Sequence, residues 1–358
     1  MRDVSAIVTG SAAVTPGAAS VRENCDLLCA GKSFFSAPAH FDACGNRLGV
    51  DHSLDAGRGS RAVRLLEKLR ASLDFRIPAG TRLFLSTTVG AVDRIENGEH
   101  TDSSAALAEA ARVIFPETAS VCLVSAACAS GQTAASLAME QLAAGSCPSA
   151  LVIGCDAVSE FVHSGFSALG AVSKDICRPY DAARCGLTLG EAAAALLLVS
   201  GTDGKTDGFG RLIRAAENCD ACHITAPDLE GKMLELAIRS ALGEDVRAGG
   251  VIGHGTGTVY NDLAEISALN AVFGDIPPLF SLKGNFGHTL GATGVLQIAL
   301  GIELSRRRKI PPQAGLQEPM KGAERAVSRA LRTLESPVLR SLNVGFGGLN
   351  SAVVLEAI

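Results

Sequence analysis

The run from Val121 to Met139, VCLVSAACASGQTAASLAM, constrains this chain more than any other stretch. Its first four residues, Val121 to Val124, are apolar and partly β-branched and read as a buried strand. From Ala134 to Ala144 the residues are good helix formers, and Gly145 supplies a stop. A strand passing into a helix through a few small residues is a building unit of α/β folds. Here it leaves one thiol, Cys128, in the turn. Free N–H groups at a helix start favour thiolate over thiol, by roughly 0.3–1 kcal/mol in exposed cases. The small neighbours Ala127, Ala129, Ser130 and Gly131 leave room for a substrate beside the sulfur. The position predicts that Cys128 is the selectively reactive thiol among the eleven cysteines. A buried structural thiol is the competing reading, and partner residues elsewhere decide between them.

The same strand-and-helix grammar runs through the rest of the chain. Strands are predicted at Val4–Thr9, Thr81–Thr87 and Ala150–Ile153, and Gly186–Ser200 ends in the apolar run Ala192–Val199. A loop from Gly10 to Gly17 and a surface excursion from Phe34 to Gly59 are expected between them. Helices are predicted at Val21–Leu28, Ser60–Leu73 and Ser103–Val113. The second of these carries a basic face, suited to solvent or to an acidic partner. A polar, Gly-rich link at Gly201–Gly210 divides the chain into residues 1–205 and 206–358. The second half alternates in the same way: strand Arg211–Ala215, helix Gly231–Leu242, strand Gly249–Gly253, helix Asp262–Phe273, strand Leu279–Leu282, helix Gly291–Leu304. It closes with strands Leu339–Val344 and Ser351–Glu356. This order predicts an α/β fold of parallel-rich sheets covered by helices. Each half places a small-residue turn before a central helix, at Cys128 and at His288, a weak sign of duplication.

Composition removes several functions. A net charge of −5, no Trp and only 2 Tyr leave little for nucleic-acid binding. No apolar run approaches the ~20 residues of a membrane span. The N-terminus carries an acid at position 3 and enters a strand at once, so the chain reads as cytoplasmic, with its cysteines reduced.

Two histidines lie in loops of the kind a catalytic cysteine needs. His254 follows an apolar strand in the run GHGTGT, and His288 opens a helix with Lys283 five residues before it. Ligands of open α/β sheets gather at the carboxyl ends of strands, where both loops fall. The run Asn343–Asn350 adds a Gly-rich turn whose N–H groups could face an oxyanion. Cys219, Cys222 and His223 form a CxxCH pattern that matches covalent haem attachment, which the absence of an export signal argues against.

Taken in order, ACASG at 127–131, RPYDAAR at 178–184, LGE at 189–191, HGTGT at 254–258, Lys283 to His288 and GFGG at 345–348 are a specific set. With them the chain resembles the type II β-ketoacyl–acyl-carrier-protein synthases. The resemblance implies a thiolase fold, two similar halves in an αβαβα stack. It implies that Cys128 is the acyl-accepting nucleophile and that His254 and His288 bind the malonyl thioester carbonyl. Lys283 is similar to the lysine that fixes His288. The N–H groups of Cys128 and Phe346 resemble the oxyanion hole, with Phe346 as gate. Thr256, Thr258, Thr225 and Phe166 resemble residues that contact pantetheine or substrate.

The implied reaction is decarboxylative Claisen condensation in fatty-acid, polyketide or polyene biosynthesis, with no metal and no cofactor beyond the phosphopantetheine of a partner acyl carrier protein. A homodimer, or a heterodimer with a second ketosynthase-like subunit, is implied as well. The alternative is a partner subunit similar to chain-length factors. Gln297 stands where the family usually has a glutamate, Leu349 where it has a threonine, and Gly170 where many relatives have a basic residue. Between Gly90 and Val121 the chain is shorter than the family pattern, which predicts a weakened wall of the acyl pocket and subunit interface.

Overall fold

A computed structural model describes residues 5–201, 207–242 and 249–358. The proposed boundary at 205/206 touches residues 202–206, outside those described. The first half comprises β1 (Ala6–Val14), α1 (Val21–Cys29), α2 (Arg61–Ala71), β2 (Thr81–Ser86), α3 (Val92–Glu96), α4 (Ser103–Ile114), β3 (Thr118–Val124), α5 (Ser130–Ala143), β4 (Ala150–Asp156), α6 (Glu160–Ala168) and β5 (Ala192–Ser200). The second comprises β6 (Gly210–Cys219), α7 (Lys232–Leu242), β7 (Gly250–Ile252), α8 (Val259–Phe273), β8 (Leu279–Phe280), α9 (Lys283–Phe286), α10 (Thr293–Arg307), β9 (Lys309–Ile310), β10 (Arg332–Thr333), β11 (Leu339–Gly345) and β12 (Leu349–Ala357).

Ten strands form one continuous sheet in the order β3-β2-β4-β5-β1-β6-β12-β11-β7-β8. Read inward from either end, the sequence of pairings is the same: two parallel, then two antiparallel. The halves meet where β1 pairs antiparallel with β6. The expectation of parallel-rich sheets is therefore corrected: parallel pairing is confined to the outer strands. Closing each half with a strand beside its neighbour makes the centre antiparallel, as the short turn joining β11 to β12 requires.

Alternation along the strands sorts the core into layers. Leu83, Leu85, Leu151 and Ile153 face α2 and α4, whereas Phe84, Ala150 and Val152 face the central layer of α5 and α10. On the far side, Val251, Leu342 and Val354 pack under α7 and α8. The result is an αβαβα stack. The two central helices cross where a Cβ on Gly131 would lie 2.8 Å from Val295 N, and one on Gly294 would lie 2.4 Å from Gln132 N. That closeness brings the two small-residue turns together.

Several boundaries differ from the sequence reading. β1 runs on to Val14 through a register shift after Val8, because Ala12, Ala13 and Val14 pair with β5 where a loop was expected. Helix α5 starts at Ser130, whose hydroxyl accepts from Ala126 N–H at 2.8 Å and donates to Ala127 O at 2.5 Å. The stretch 34–59 is not a surface excursion. Phe35, Leu48 and Val50 are buried, and Gly49 N–H donates to Leu189 O at 2.8 Å. The basic face of α2 is partly spent within the chain: Arg61 is buried against Glu191, and Lys68 pairs with Asp51.

Candidate active site

Three strand ends build the site. Beyond β3, Ala127 takes a left-handed conformation (φ 49), which turns the chain so that Cys128 precedes α5. A Cβ on Gly345 would lie 3.1 Å from Ala126 O and 3.3 Å from Ala129 N, so the β11–β12 turn carrying Phe346 presses directly on the cysteine turn. Cys128 is 5% exposed. Burial pushes its thiol up to about 12, Lys283 opposes the rise and Asp156 adds to it. This corrects the lowered thiol expected from the helix start: desolvation outweighs the helix-start effect, and the resting sulfur holds its proton.

Beyond β7, His254 lies between two glycines for a steric reason. A Cβ on Gly253 would sit 1.9 Å from the Tyr180 hydroxyl, and one on Gly255 would sit 2.5 Å from the Tyr180 ring. Two carboxylates one turn apart on α8 hold this loop. Glu265 accepts from His254 N–H at 2.6 Å, from Gly255 N–H at 2.8 Å and from the Tyr180 hydroxyl at 2.9 Å. Asp262 accepts from Thr256 N–H at 2.9 Å and Tyr180 N–H at 2.8 Å. Lys283, buried on α9, reaches the His254 carbonyl and lies 3.3 Å from His254 Nδ1. The expectation that Lys283 fixes His288 is corrected, because the turn of α9 points its ammonium at the other histidine.

His288 is fixed by different neighbours. Its backbone N–H donates to Thr188 O at 2.7 Å, and its carbonyl accepts from Gly190 N–H at 3.0 Å, so the segment before Glu191 brackets it. Leu290 N–H donates to His288 Nδ1 at 3.2 Å. With Nδ1 of each ring facing a donor, the neutral imidazoles carry their protons on Nε2. Burial, reinforced by Lys283, holds both well below the usual histidine range. Their ring centroids are 5.4 Å apart at 86°. Gln297 is satisfied without a charge: it donates to Gly253 O at 3.0 Å and accepts from the Ser341 hydroxyl at 3.1 Å and from Asn343.

Cys128, His254 and His288 line a cavity of about 350 Å³ together with Thr225, Thr256, Thr258, Phe166 and Phe346. Lys283 stands behind its wall. The Thr256 and Thr258 hydroxyls are 2.8 Å apart, and the Phe166 and Phe346 rings lie tilted at 32° with centroids 5.5 Å apart. Gly170, at the mouth, has φ 65 and closes α6, so this position requires the left-handed conformation that glycine adopts without strain. The CxxCH pattern is otherwise engaged. His223 Nδ1 accepts from Thr225 and Ala226 N–H, both at 3.1 Å, and Cys219 donates to Gly347 O. Sequence reasoning had assigned no role to Tyr180, Glu265 or Asp156. Their signals were a tyrosine inside RPYDAAR, an acid on the helix after His254, and an acid ending an apolar strand.

The sheet order, the layers and the converging turns define a thiolase-fold ketosynthase architecture. The chain matches the ishigamide ketosynthase/chain length factor structure with a TM-score of 0.85, at 23% identity over 99% of this chain and 100% of that one. Models of the beta-ketoacyl synthase N-terminal and C-terminal domains match residues 99–203 and 209–317. The chain belongs to the beta-ketoacyl synthase family. Nodulation protein E of Rhizobium meliloti is 31% identical over 249 residues, covering 66% of this chain and 61% of that protein. The 3-oxoacyl-[acyl-carrier-protein] synthase 2 of Mycobacterium tuberculosis is 33% identical over 206 residues, 53% of this chain and 49% of that one. The matched stretch thus spans between about half and about three fifths of the length of these relatives. Among the described residues no helix is long and apolar enough to cross a membrane.

Proposed function

We propose that this chain is a condensing acyltransferase, a 3-oxoacyl-[acyl-carrier-protein] synthase, with Cys128 as nucleophile. The observation that carries the reading is the convergence on a single cavity of one buried thiol and two imidazoles whose Nδ1 atoms each face an N–H donor. The acyl thioester arrives on the pantetheine arm of a carrier protein, past Thr225, Thr256 and Thr258. Cys128 sulfur attacks the carbonyl, the bond to the pantetheine sulfur breaks, and the thiol proton leaves with that sulfur. A malonyl thioester then places its carbonyl oxygen between the two Nε2–H donors. Its carbon–carboxylate bond breaks, CO₂ departs and the electron pair becomes an enolate held by both histidines. The enolate carbon attacks the acyl group on Cys128. The resulting oxyanion is stabilised by the N–H groups of Cys128 and Phe346; the carbon–sulfur bond to Cys128 then breaks to release the β-ketoacyl product, and the departing thiolate takes a proton from solvent to restore the thiol. Lys283 keeps His254 Nδ1 an acceptor, and thus its Nε2 a donor. The setting of this chemistry is the cytoplasm.

Intact-mass analysis after incubation with an acyl carrier protein tests the reading. An acyl adduct on Cys128, and release of CO₂ from malonyl carrier protein, are expected; an adduct on another cysteine overturns it. The short stretch between β2 and β3, with a structural neighbour that is a ketosynthase/chain length factor pair, favours a second reading. In it the chain accompanies an active synthase and has little condensing activity of its own. An acyl adduct that forms without condensation would mark that outcome.

A further inference from the structure

We infer that Asp156 is a positioning residue whose single carboxylate sets the geometry of both the nucleophile turn and His288. It ends β4 and is fully buried. One oxygen accepts from the Thr87 hydroxyl at 2.6 Å and Val89 N–H at 3.4 Å, and the other from Thr88 N–H at 2.8 Å and Gly291 N–H at 2.7 Å. Two strained turns lie one bond beyond these donors. Thr88, held by its N–H, donates its hydroxyl to the carbonyl of Ala127 at 3.2 Å, and Ala127 is left-handed (φ 49) immediately before Cys128. Gly291, held by its N–H, follows Leu290, left-handed at φ 50, whose own N–H fixes His288 Nδ1. A non-glycine residue in that conformation is strained and persists only where its surroundings over-determine it. Asp156 supplies that constraint for both turns at once.

The chemistry calls for an acid here. All four neighbours are donors, so an amide at this place would turn its own N–H groups on at least one of them. The fit is close: a Cβ on Gly291 would lie 2.8 Å from Asp156 Oδ2, so glycine alone lets the carboxylate reach that backbone. Burial pushes Asp156 up to about 6 despite its four donors, and its negative charge adds to the rise of the Cys128 thiol. The charged and titratable groups facing that thiol are Lys283, which lowers it, Asp156, which raises it, and the neutral rings of His254 and His288.

The test compares Asp156→Asn and Thr88→Val with the parent protein. Imidazole ¹⁵N shifts read the His288 tautomer, and peptide-resolved iodoacetamide labelling reads Cys128 against pH. Neither depends on the condensing reading, on which only a third arm, decarboxylation of malonyl carrier protein, rests. Asp156→Asn is expected to mix the His288 tautomers and move the Cys128 labelling profile to lower pH. Decarboxylation should drop on the order of 100-fold, the scale of a misplacement near 1 Å. Thr88→Val cuts only the link to Ala127, so it should change the Cys128 labelling rate and leave the His288 tautomer alone. A wild-type tautomer and labelling profile in Asp156→Asn overturns the inference. Should that variant not fold, an unchanged Cys128 labelling rate in Thr88→Val overturns it instead. Absence of decarboxylation in the parent, with the other two arms responding, would count against the condensing reading alone.

Discussion

Cys128 is caught between two opposed electrostatic effects, and the larger one is invisible in sequence. The helix start and Lys283 favour its thiolate, whereas complete desolvation and Asp156 favour the thiol. A thiol pushed up to about 12 reacts in proportion to a thiolate fraction that rises roughly tenfold per pH unit. Labelling of Cys128 should therefore climb without levelling between pH 7 and 10, and the exposed Cys44, Cys185, Cys219 and Cys222 should be modified first at neutral pH. A plateau in the Cys128 profile below pH 9 would show that the helix start prevails after all. The histidines carry a complementary expectation. His254→Ala or His288→Ala removes one Nε2–H donor from the proposed enolate site, which typically costs on the order of 100–1,000-fold. Decarboxylation of malonyl carrier protein should fall by that factor while acyl transfer to Cys128 is partly retained; unchanged decarboxylation would assign the residue a structural role.

At the scale of elements, the strand–turn–helix around Cys128 was legible because its signals are local: a β-branched run, small residues, then helix formers. The loops of His254 and His288 were legible for the same reason. What escaped the sequence depends on contacts across the fold. Lys283 is five residues from His288, yet the single turn of α9 aims it at His254, which lies 29 positions away. Asp156 is held by donors more than 60 positions distant. The basic helix α2 looked like a solvated face, but Arg61 reaches inward to place two hydrogen bonds on Glu191, at 2.8 and 2.7 Å, beneath the segment that brackets His288. Both partners are buried, so removing one strands a charge in the core. Arg61→Ala should lower unfolding free energy by about 3–5 kcal/mol in a denaturant titration. A loss below ~1 kcal/mol would mean that water reaches the pair.

Across the whole molecule, the sheet ends in an edge strand, β3, with its pairing groups open on one side. Exposed edges invite another chain. Three apolar side chains are exposed around this edge: Val113 at 73%, with Leu123 and Leu137. A second apolar pair, Ile95 and Phe161, lies where α3 meets α6, bridged by a hydrogen bond from Phe161 N–H to Glu96 at 2.6 Å. Between β2 and β3 the chain supplies only α3, α4 and short connections, so little of its own structure covers these side chains. Obligate interfaces commonly bury roughly 2,000 Å² or more. A seven-residue edge strand with a few apolar neighbours provides one side of such an interface and not a generous one. A partner with a longer segment at this place would cover Ile95 and Phe161 and complete the wall beside α6, whose Phe166 lines the cavity. The expected outcome is a heterodimer with a longer synthase homologue, and a weaker homodimer when the chain is alone. Sedimentation of the purified chain, with and without a co-expressed homologue, checks this. Replacing Phe161 and Val113 by Asp should weaken the heterodimer by at least tenfold while leaving the monomer folded. A homodimer tight at nanomolar concentration, with full condensing activity of its own, would refute the proposal.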